Sequence, residues 1–301
     1  MAETTKAAEQ PLRGQVAVVA GATRGAGRAI AVALGAAGAT IYATGRSVRG
    51  HPATGTRPET IEETAALVTA AGGVGIAVQV DHTAPGEVAA LFARVRDEQD
   101  GRLDILINDV WGGDALTNWS VPFWQHSLED GLLMQRRAVH SHIITSRHGA
   151  PLMVARNRGL IVEITDGDTY DYRGNLFYSL AKISVIHLAA AMAADLRRLG
   201  APGVTAVAVT PGFLRSEEML DRFGVTEATW RDAIAQDPHF AASETPAYVG
   251  RAVAALASDP NVGAKSGRAL SSWGLAHEYG VTDADGSQPD WGAYYAEHIA
   301  E

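Results

Sequence analysis

Tyr178 and Lys182 stand four residues apart at the head of an apolar run, Ile183 to Leu199, that reads as a helix. At that spacing the two side chains share one helix face. A phenol and an ammonium held together make a tunable proton donor. The cation favours the phenolate and draws the tyrosine pKa down from about 10 towards neutrality. A group so poised exchanges a proton with a carbonyl or alcohol oxygen near pH 7. Most Tyr/Lys pairs at this spacing are solvated helix surface, so the pair needs a context.

That context is a second motif near the N-terminus. Gln15 to Ala20 is a valine-rich run that reads as a buried strand. Gly21-Ala-Thr-Arg-Gly25-Ala-Gly27 follows at once, and Arg28 to Ala37 reads as a helix. Strand, glycine loop and helix in this order predict a dinucleotide site. The glycines let the backbone approach a pyrophosphate, and the helix start offers it free N–H groups and a positive dipole end. The plainer alternative is a tight βα turn without a ligand. The second strand, Thr40 to Thr44, runs into Gly45-Arg46, and no Asp or Glu occurs between Gly21 and Glu59. An acid at the end of that strand is what a ribose 2′-hydroxyl requires. Arg46 together with Arg24 instead offers two guanidiniums to a 2′-phosphate, so NADP(H) is the expected cofactor. The competing reading makes both arginines solvated surface charges.

At this point the sequence resembles the short-chain dehydrogenase/reductase family in its single-domain form, over roughly residues 12 to 275. The resemblance rests on Ala20-Gly21-Ala22-Thr23-Arg24-Gly25-Ala26-Gly27, on Val80-Asp81-His82 after the third strand, and on Leu103 to Asn108-Asp109-Val110-Trp111. Tyr178 with Lys182 and the turn Pro211-Gly212 complete it, all in family order and spacing. The segments Glu244 to Arg251 and Tyr279 to Gly286 are similar to the branch typified by mammalian dehydrogenase/reductase member 1. The resemblance implies a Rossmann-type α/β fold, a doubly wound parallel sheet of about seven strands with helices on both faces. It implies that Gly21, Thr23, Arg24, Gly25, Gly27, Arg46, Asp81, Asn108, Lys182, Pro211 and Gly212 bind the cofactor. Tyr178 would protonate the substrate oxygen, Lys182 would bond the nicotinamide ribose, and Thr165 would hold the substrate oxygen. Asp166, Trp111 and Phe213 would border the substrate.

Two departures stand out. The family has a pair of serines where this chain has Thr165-Asp166. Thr165 can donate as serine does, whereas an ionised Asp166 only accepts and repels an oxyanion. The family also has a catalytic Asn on the helix after the fourth strand. Ser127 to Ser146 contains none, Ala138 falls at its position, and His140 or Gln135 is the expected substitute.

The elements that must position these residues follow from periodicity. Strands are expected near 15–20, 39–44, 74–79, 103–107, 159–165, 204–209 and 267–271. Helices are expected near 25–37, 60–71, 84–99, 127–148, 174–199 and 245–257. Strands alternating with helix-length segments require a parallel sheet with right-handed crossovers. Thr60 and Glu63 form a capping box for the second helix. The chain divides into a disordered tail over 1–11, a single catalytic domain over 12–280 with a substrate lid at about 213–240, and an extension over 281–301. The loop 46–59, with Arg49, His51 and Arg57, either closes over the adenosine phosphate or is an inert insertion. Trp111, Trp119, Phe123, Trp124 and His126 either line a pocket or pack beneath a long loop. Met219, Leu220, Phe223 and Trp230 of the lid are expected to face the ligand.

The net charge of −9 and the absence of a basic stripe argue against nucleic acid. There is no cysteine among the 301 residues, hence no disulfide and no thiolate chemistry. No eighteen-residue apolar run suggests a membrane span, and Met1 to Gln10 lacks the apolar core of a signal peptide. The expectation is a cytoplasmic protein with neither a metal nor a membrane partner. His140, His142 and His148 lack zinc spacing, and Asp283-Ala-Asp285-Gly286 lacks the further ligands of a calcium loop. The leading expectation is an NADP(H)-dependent oxidoreductase acting on a ketone, aldehyde or alcohol of a small molecule, by resemblance a homodimer or homotetramer. Its rivals are a cofactor-binding sensor or scaffold that has lost catalysis, and an extended-family epimerase, which the glycine spacing disfavours.

Overall fold

Val16–Ala20 (β1) is a run of five apolar residues, all buried, and such a strand needs cover on both faces. It lies near the middle of a seven-stranded sheet of order β3-β2-β1-β4-β5-β6-β7, parallel throughout. The computed structural model describes residues 10–55 and 57–299. The other strands are Thr40–Gly45 (β2), Val74–Gln79 (β3), Ile105–Asn108 (β4), Gly159–Ile164 (β5), Val204–Thr210 (β6) and Ala269–Ser271 (β7). The predicted tail over residues 1–11 lies outside the described residues up to residue 9; Leu12, next to it, is fully buried.

Helices Gly25–Ala36 (α1), Ile61–Ala70 (α2) and Pro85–Glu98 (α3) connect the first strands. Thr60 accepts the Glu63 N–H and so caps α2, while the Glu63 carboxylate takes Arg28, so one half of the expected capping box forms. The helix expected over 127–148 is longer and broken in character. It runs as Leu128–Gln135 (α4), a π-helical turn over Arg136–His140, and Ser141–Val154 (α5) with Pro151 inside it. Leu176–Arg198 (α6) carries the Tyr/Lys pair, and Asn175 caps it by accepting the Tyr178 N–H at 3.1 Å. By length and composition α6 could cross a membrane, contrary to the sequence expectation. Its apolar face is accounted for otherwise, because it packs on β5, β6 and α4.

After β6 come Glu217–Arg222 (α7), two 3₁₀ turns, Pro246–Ser258 (α8), Ser272–Tyr279 (α9) and Trp291–His298 (α10). The segment before α8 builds its own core from Trp230, Ala233 and Phe240, with Phe213, Met219, Leu220 and Phe223 against it. Leu220, Phe223 and Trp230 therefore hold this segment together, and among the four residues expected to face a ligand only Met219 also lines the cleft. Asp283 anchors the C-terminal extension: its carboxylate accepts the Thr245 N–H at 2.8 Å and the Thr245 hydroxyl. That carboxylate caps α8 rather than holding a cation.

The strand order reverses direction between β1 and β4. Loops leaving those two strands diverge to opposite sides and open a crevice at their C-terminal ends, where ligands bind in sheets of this kind.

Candidate active site

The crevice is a cleft of about 540 Å³. One end is the glycine loop. Gly21 has φ +90°, and a Cβ there would lie 2.3 Å from the Asp109 carbonyl oxygen. A Cβ on Gly27 would lie 2.4 Å from the Gly21 carbonyl oxygen. These two glycines thus bring β1, β4 and α1 together, and of the three loop glycines Gly21 and Gly25 reach the cleft surface while Gly27 does not. The Gly25 N–H donates to Glu217 Oε2 at 2.9 Å. That carboxylate, carried by the lid helix α7, stands in for an anionic oxygen of a ligand. Its position shows that the start of α1 can hold a pyrophosphate, so the loop fits a dinucleotide.

Thr23, Arg24, Arg46 and Asp81 border the same end. Burial opposes the charge on Asp81, but the Thr83 N–H and hydroxyl, with Arg46 nearby, hold its carboxyl below the usual range. Arg24 is not the free cation expected from the sequence. Its Nε is 3.1 Å from Glu59 Oε2, while Nη2 is buried without a partner. Arg57 holds the other Glu59 oxygen at 3.0 Å and reaches Asp221 on α7 at 2.9 Å. The long loop after β2 is thereby tied to the lid. Glu59 itself is buried and does not line the cleft.

Asn108 does not contact the cleft, and its expected role in cofactor binding fails for a physical reason. It is fully buried and paired across the sheet, donating to Glu163 Oε1 at 2.7 Å and to Ser146 at 2.9 Å. Glu163 also takes His142 Nδ1 at 2.7 Å, and His142 Nε2 lies 3.1 Å from the Val110 carbonyl. This network fixes the loop leaving β4, which supplies Asp109 and Trp111 to the cleft. Loss of hydration pushes the Asp109 carboxyl up to about 7, against the opposing charges of Lys182 and His142.

Tyr178 and Lys182 both line the cleft, together with Thr165, Asp166, Trp111, Pro211, Gly212 and Phe213. Lys182 Nζ lies 4.0 Å from the Trp111 ring centroid and 5.5 Å from that of Tyr178. Trp111 and Trp119 meet the Tyr178 ring edge-on at 5.4 and 5.1 Å. Phe123 and Trp124, from the same aromatic loop, are exposed. Trp291 of α10 reaches the cleft too and meets the Phe213 ring at a tilt, 5.6 Å between centroids. Its role was hidden in the sequence because nothing in a lone aromatic of a C-terminal segment says which loop it will meet.

The proton chemistry differs from the sequence expectation in three ways. First, the surroundings of Tyr178 do not acidify it. Burial, then the charge of Asp166 and its hydrogen bond, hold the phenol well above its ordinary range. Burial likewise lowers Lys182 from its ordinary range, against the pull of Asp166, Asp114 and Asp109. Second, the Thr165 hydroxyl is turned away from the role assigned to it. Thr165 Oγ1 donates to the Lys182 carbonyl at 2.8 Å, and the partner of Tyr178 is Asp166, whose Oδ2 accepts the phenolic proton at 2.8 Å. Third, neither expected substitute for the missing Asn reaches Lys182. Gln135 Nε2 donates to the Phe177 carbonyl at 2.7 Å, and His140 is exposed. Ala138, on the π-helical turn, instead borders a cavity of about 20 Å³ walled also by Lys182, Asp109 and His142. That is room for one water with polar partners.

Comparison with known proteins agrees with this geometry. A family model described as short chain dehydrogenase matches residues 15–223. The chain is 37% identical over 92% of its length, and over 85% of the relative's, to Dehydrogenase/reductase SDR family member 1 of Mus musculus. It is 29% identical to a 3-oxoacyl-[acyl-carrier-protein] reductase of Synechocystis, over 83% of this chain and 91% of that one. Among solved structures, a short chain dehydrogenase from Mycobacterium thermoresistibile is similar with a TM-score of 0.76 at 24% identity, covering 93% of this chain and 92% of that one.

Proposed function

Because the chain belongs to the short-chain dehydrogenase family, oxidoreductases that use a nicotinamide cofactor, and to its dehydrogenase/reductase member 1 branch, we propose that it interconverts a ketone or aldehyde and the alcohol of a small organic molecule with NADP(H). The observation that carries this reading is the convergence of Tyr178, Lys182 and the glycine loop on one cleft. The cofactor would supply or take the hydride. Gly21, Gly25 and the start of α1 would hold its pyrophosphate, Asp81 its adenine end and Lys182 its nicotinamide ribose. Tyr178 exchanges the proton with the substrate oxygen. The Synechocystis relative is a 3-oxoacyl reductase, which supports a carbonyl as the reacting group.

Preference for the 2′-phosphorylated cofactor is supported by Arg46 in the cleft and by the lack of an acid at the end of β2. The nearby Glu59 is paired with Arg24 and Arg57, so it is not a free acid for a ribose hydroxyl. Trp111, Phe213 and Trp291 give the substrate end aromatic walls, which suits an apolar or aromatic molecule. A cytoplasmic setting and a homo-oligomer complete the reading. Exposed Leu128 and Leu132 on α4, Ile143 on α5 and Leu180 on α6 support a subunit contact there.

The test is a panel of carbonyl compounds and alcohols assayed with all four nicotinamide cofactors. Turnover with NADP(H) at a lower KM than with NAD(H) is the expected result. Tight dinucleotide binding with no turnover across a broad panel would instead support a sensor of the same fold. That alternative is favoured by one observation, the occupation of the Tyr178 hydroxyl by Asp166.

A further inference from the structure

Tyr178 and Asp166 are joined in a way that the ordinary use of a tyrosine acid does not need. A phenol that must act as an acid/base on its own requires a cation to stabilise its charged form. Among the described residues the hydrogen-bond partner of its hydroxyl is an acceptor, 2.8 Å away, and Lys182 is turned to the face of Trp111. The neighbouring hydroxyl that could have donated into the site, Thr165, has its proton on the Lys182 carbonyl. Asp166 lines the open cleft and is only partly buried, so a proton that reaches it can leave to water.

We propose that Asp166 is the terminal proton acceptor of the site, taking the proton of an alcohol substrate through Tyr178. The inference rests on the oxidoreductase reading given above. In the oxidising direction the alcohol O–H donates to Tyr178 Oη while the Tyr178 proton crosses to Asp166 Oδ2. The carbinol C–H bond breaks, its electron pair leaving as hydride to an oxidised nicotinamide dinucleotide, and the carbon–oxygen bond becomes a carbonyl. Tyr178 ends neutral as it began, Asp166 ends as a carboxylic acid, and the two electrons lost by the alcohol are those gained by the dinucleotide. No free phenolate forms, so the pair functions without an acidified tyrosine. The reverse reduction needs Asp166 to start protonated, because the proton that Tyr178 gives to the carbonyl oxygen is replaced from Asp166. The site is therefore biased towards substrates that present a hydroxyl.

Other charged groups bear on the pair and set its pH response. Lys182 faces it from α6, Asp114 from the 3₁₀ turn after β4, and Arg173 from the loop before α6. Asp109 at the end of β4 and Glu218 on α7 line the same cleft. Substitution of Asp166 removes one carboxylate and leaves these in place, which makes its effect separable.

The experiment uses the full chain with Asp166→Asn and Asp166→Ser, each checked for folding by circular dichroism and thermal midpoint. Two readouts are taken: the pH profile of secondary-alcohol oxidation, and the ultraviolet phenolate titration of the cofactor-free protein, with Tyr178→Phe identifying the Tyr178 signal. Wild-type oxidation should fall on acidification. D166N should oxidise about a hundredfold more slowly and lose that acid limb. In both variants the Tyr178 phenolate should appear at lower pH than in wild type, because the acceptor no longer opposes Lys182. Oxidation by D166N within about threefold of wild type and with the same acid limb would overturn the proposal. So would an unmoved phenolate titration. Should the wild type oxidise and reduce nothing, the oxidoreductase reading fails, and the phenolate titration still decides whether Asp166 controls Tyr178. If D166N does not fold, D166S carries the same expectations.

Discussion

Tyr178 is held on every side: by the Asn175 cap at its amide, two indole rings at its edges, and a carboxylate at its hydroxyl. Tyr178→Phe keeps the ring contacts and removes only the proton carrier. Turnover in either direction should fall by at least about 10³-fold, while dinucleotide affinity by fluorescence quenching changes by less than about twofold. At this scale residue types were legible and hydrogen-bond directions were not. Spacing alone put Tyr178 and Lys182 on one face. It could not tell that Thr165 would spend its proton on the Lys182 carbonyl, because that carbonyl is a backbone atom from a helix starting eleven residues later. The same blindness made Asn108 look like a ligand contact when its partners, Ser146 and Glu163, come from two other elements.

Elements are tied to one another by buried polar pairs, and these are where stability should respond. Glu163 bridges β5 to Asn108 on β4 and to His142 on α5. Glu163→Ala strands both partners in a dry interior, so unfolding free energy should drop by about 3–5 kcal/mol, measured by denaturant titration. His82 joins β2 and α5 through Thr44 and Thr145, both at 2.8 Å, and burial lowers it from 6.5 to about 3. Its folded pKa is depressed, so the native state stays unprotonated while the unfolded chain takes up a proton below pH 6.5. Relative to His82→Gln, the wild type should lose about 1.4 kcal/mol of stability per pH unit as pH falls from 6.5 towards 3, and show no such difference above 6.5. Denaturant melts of both proteins across pH 4–8 check this. Strand positions and the α1 and α6 helices were readable because their apolar runs are continuous and bounded by glycine or a cap. The α5 helix runs past its expected end at 148 although Pro151 sits within it, its surroundings outweighing local punctuation. The short helices α9 and α10 lack a long apolar period and were not legible.

For the molecule as a whole, the C-terminal extension belongs to the active site rather than trailing from it. Asp283 caps α8 from a buried position, and Trp291 closes one wall of the cleft. A chain ending at residue 280 should melt earlier, losing at least about 3 kcal/mol from the two hydrogen bonds to the Asp283 carboxylate, and should show a raised KM. Trp291→Ala in the full chain separates the two effects, raising KM while leaving the thermal midpoint nearly unchanged. The overall fold was legible from the order of motifs along the chain. The extension's role was not, since it depends on how β6, the lid and α10 meet at the sheet's far end.

The carboxylate of Glu217, on α7, occupies the amide at the start of α1, and Arg57 clasps the same helix through Asp221. A phosphate bound at that amide would have to displace the carboxylate first. Glu217→Gln, neutral and a weaker competitor, should capture the dinucleotide about three- to tenfold more tightly, with the gain appearing chiefly in the association rate.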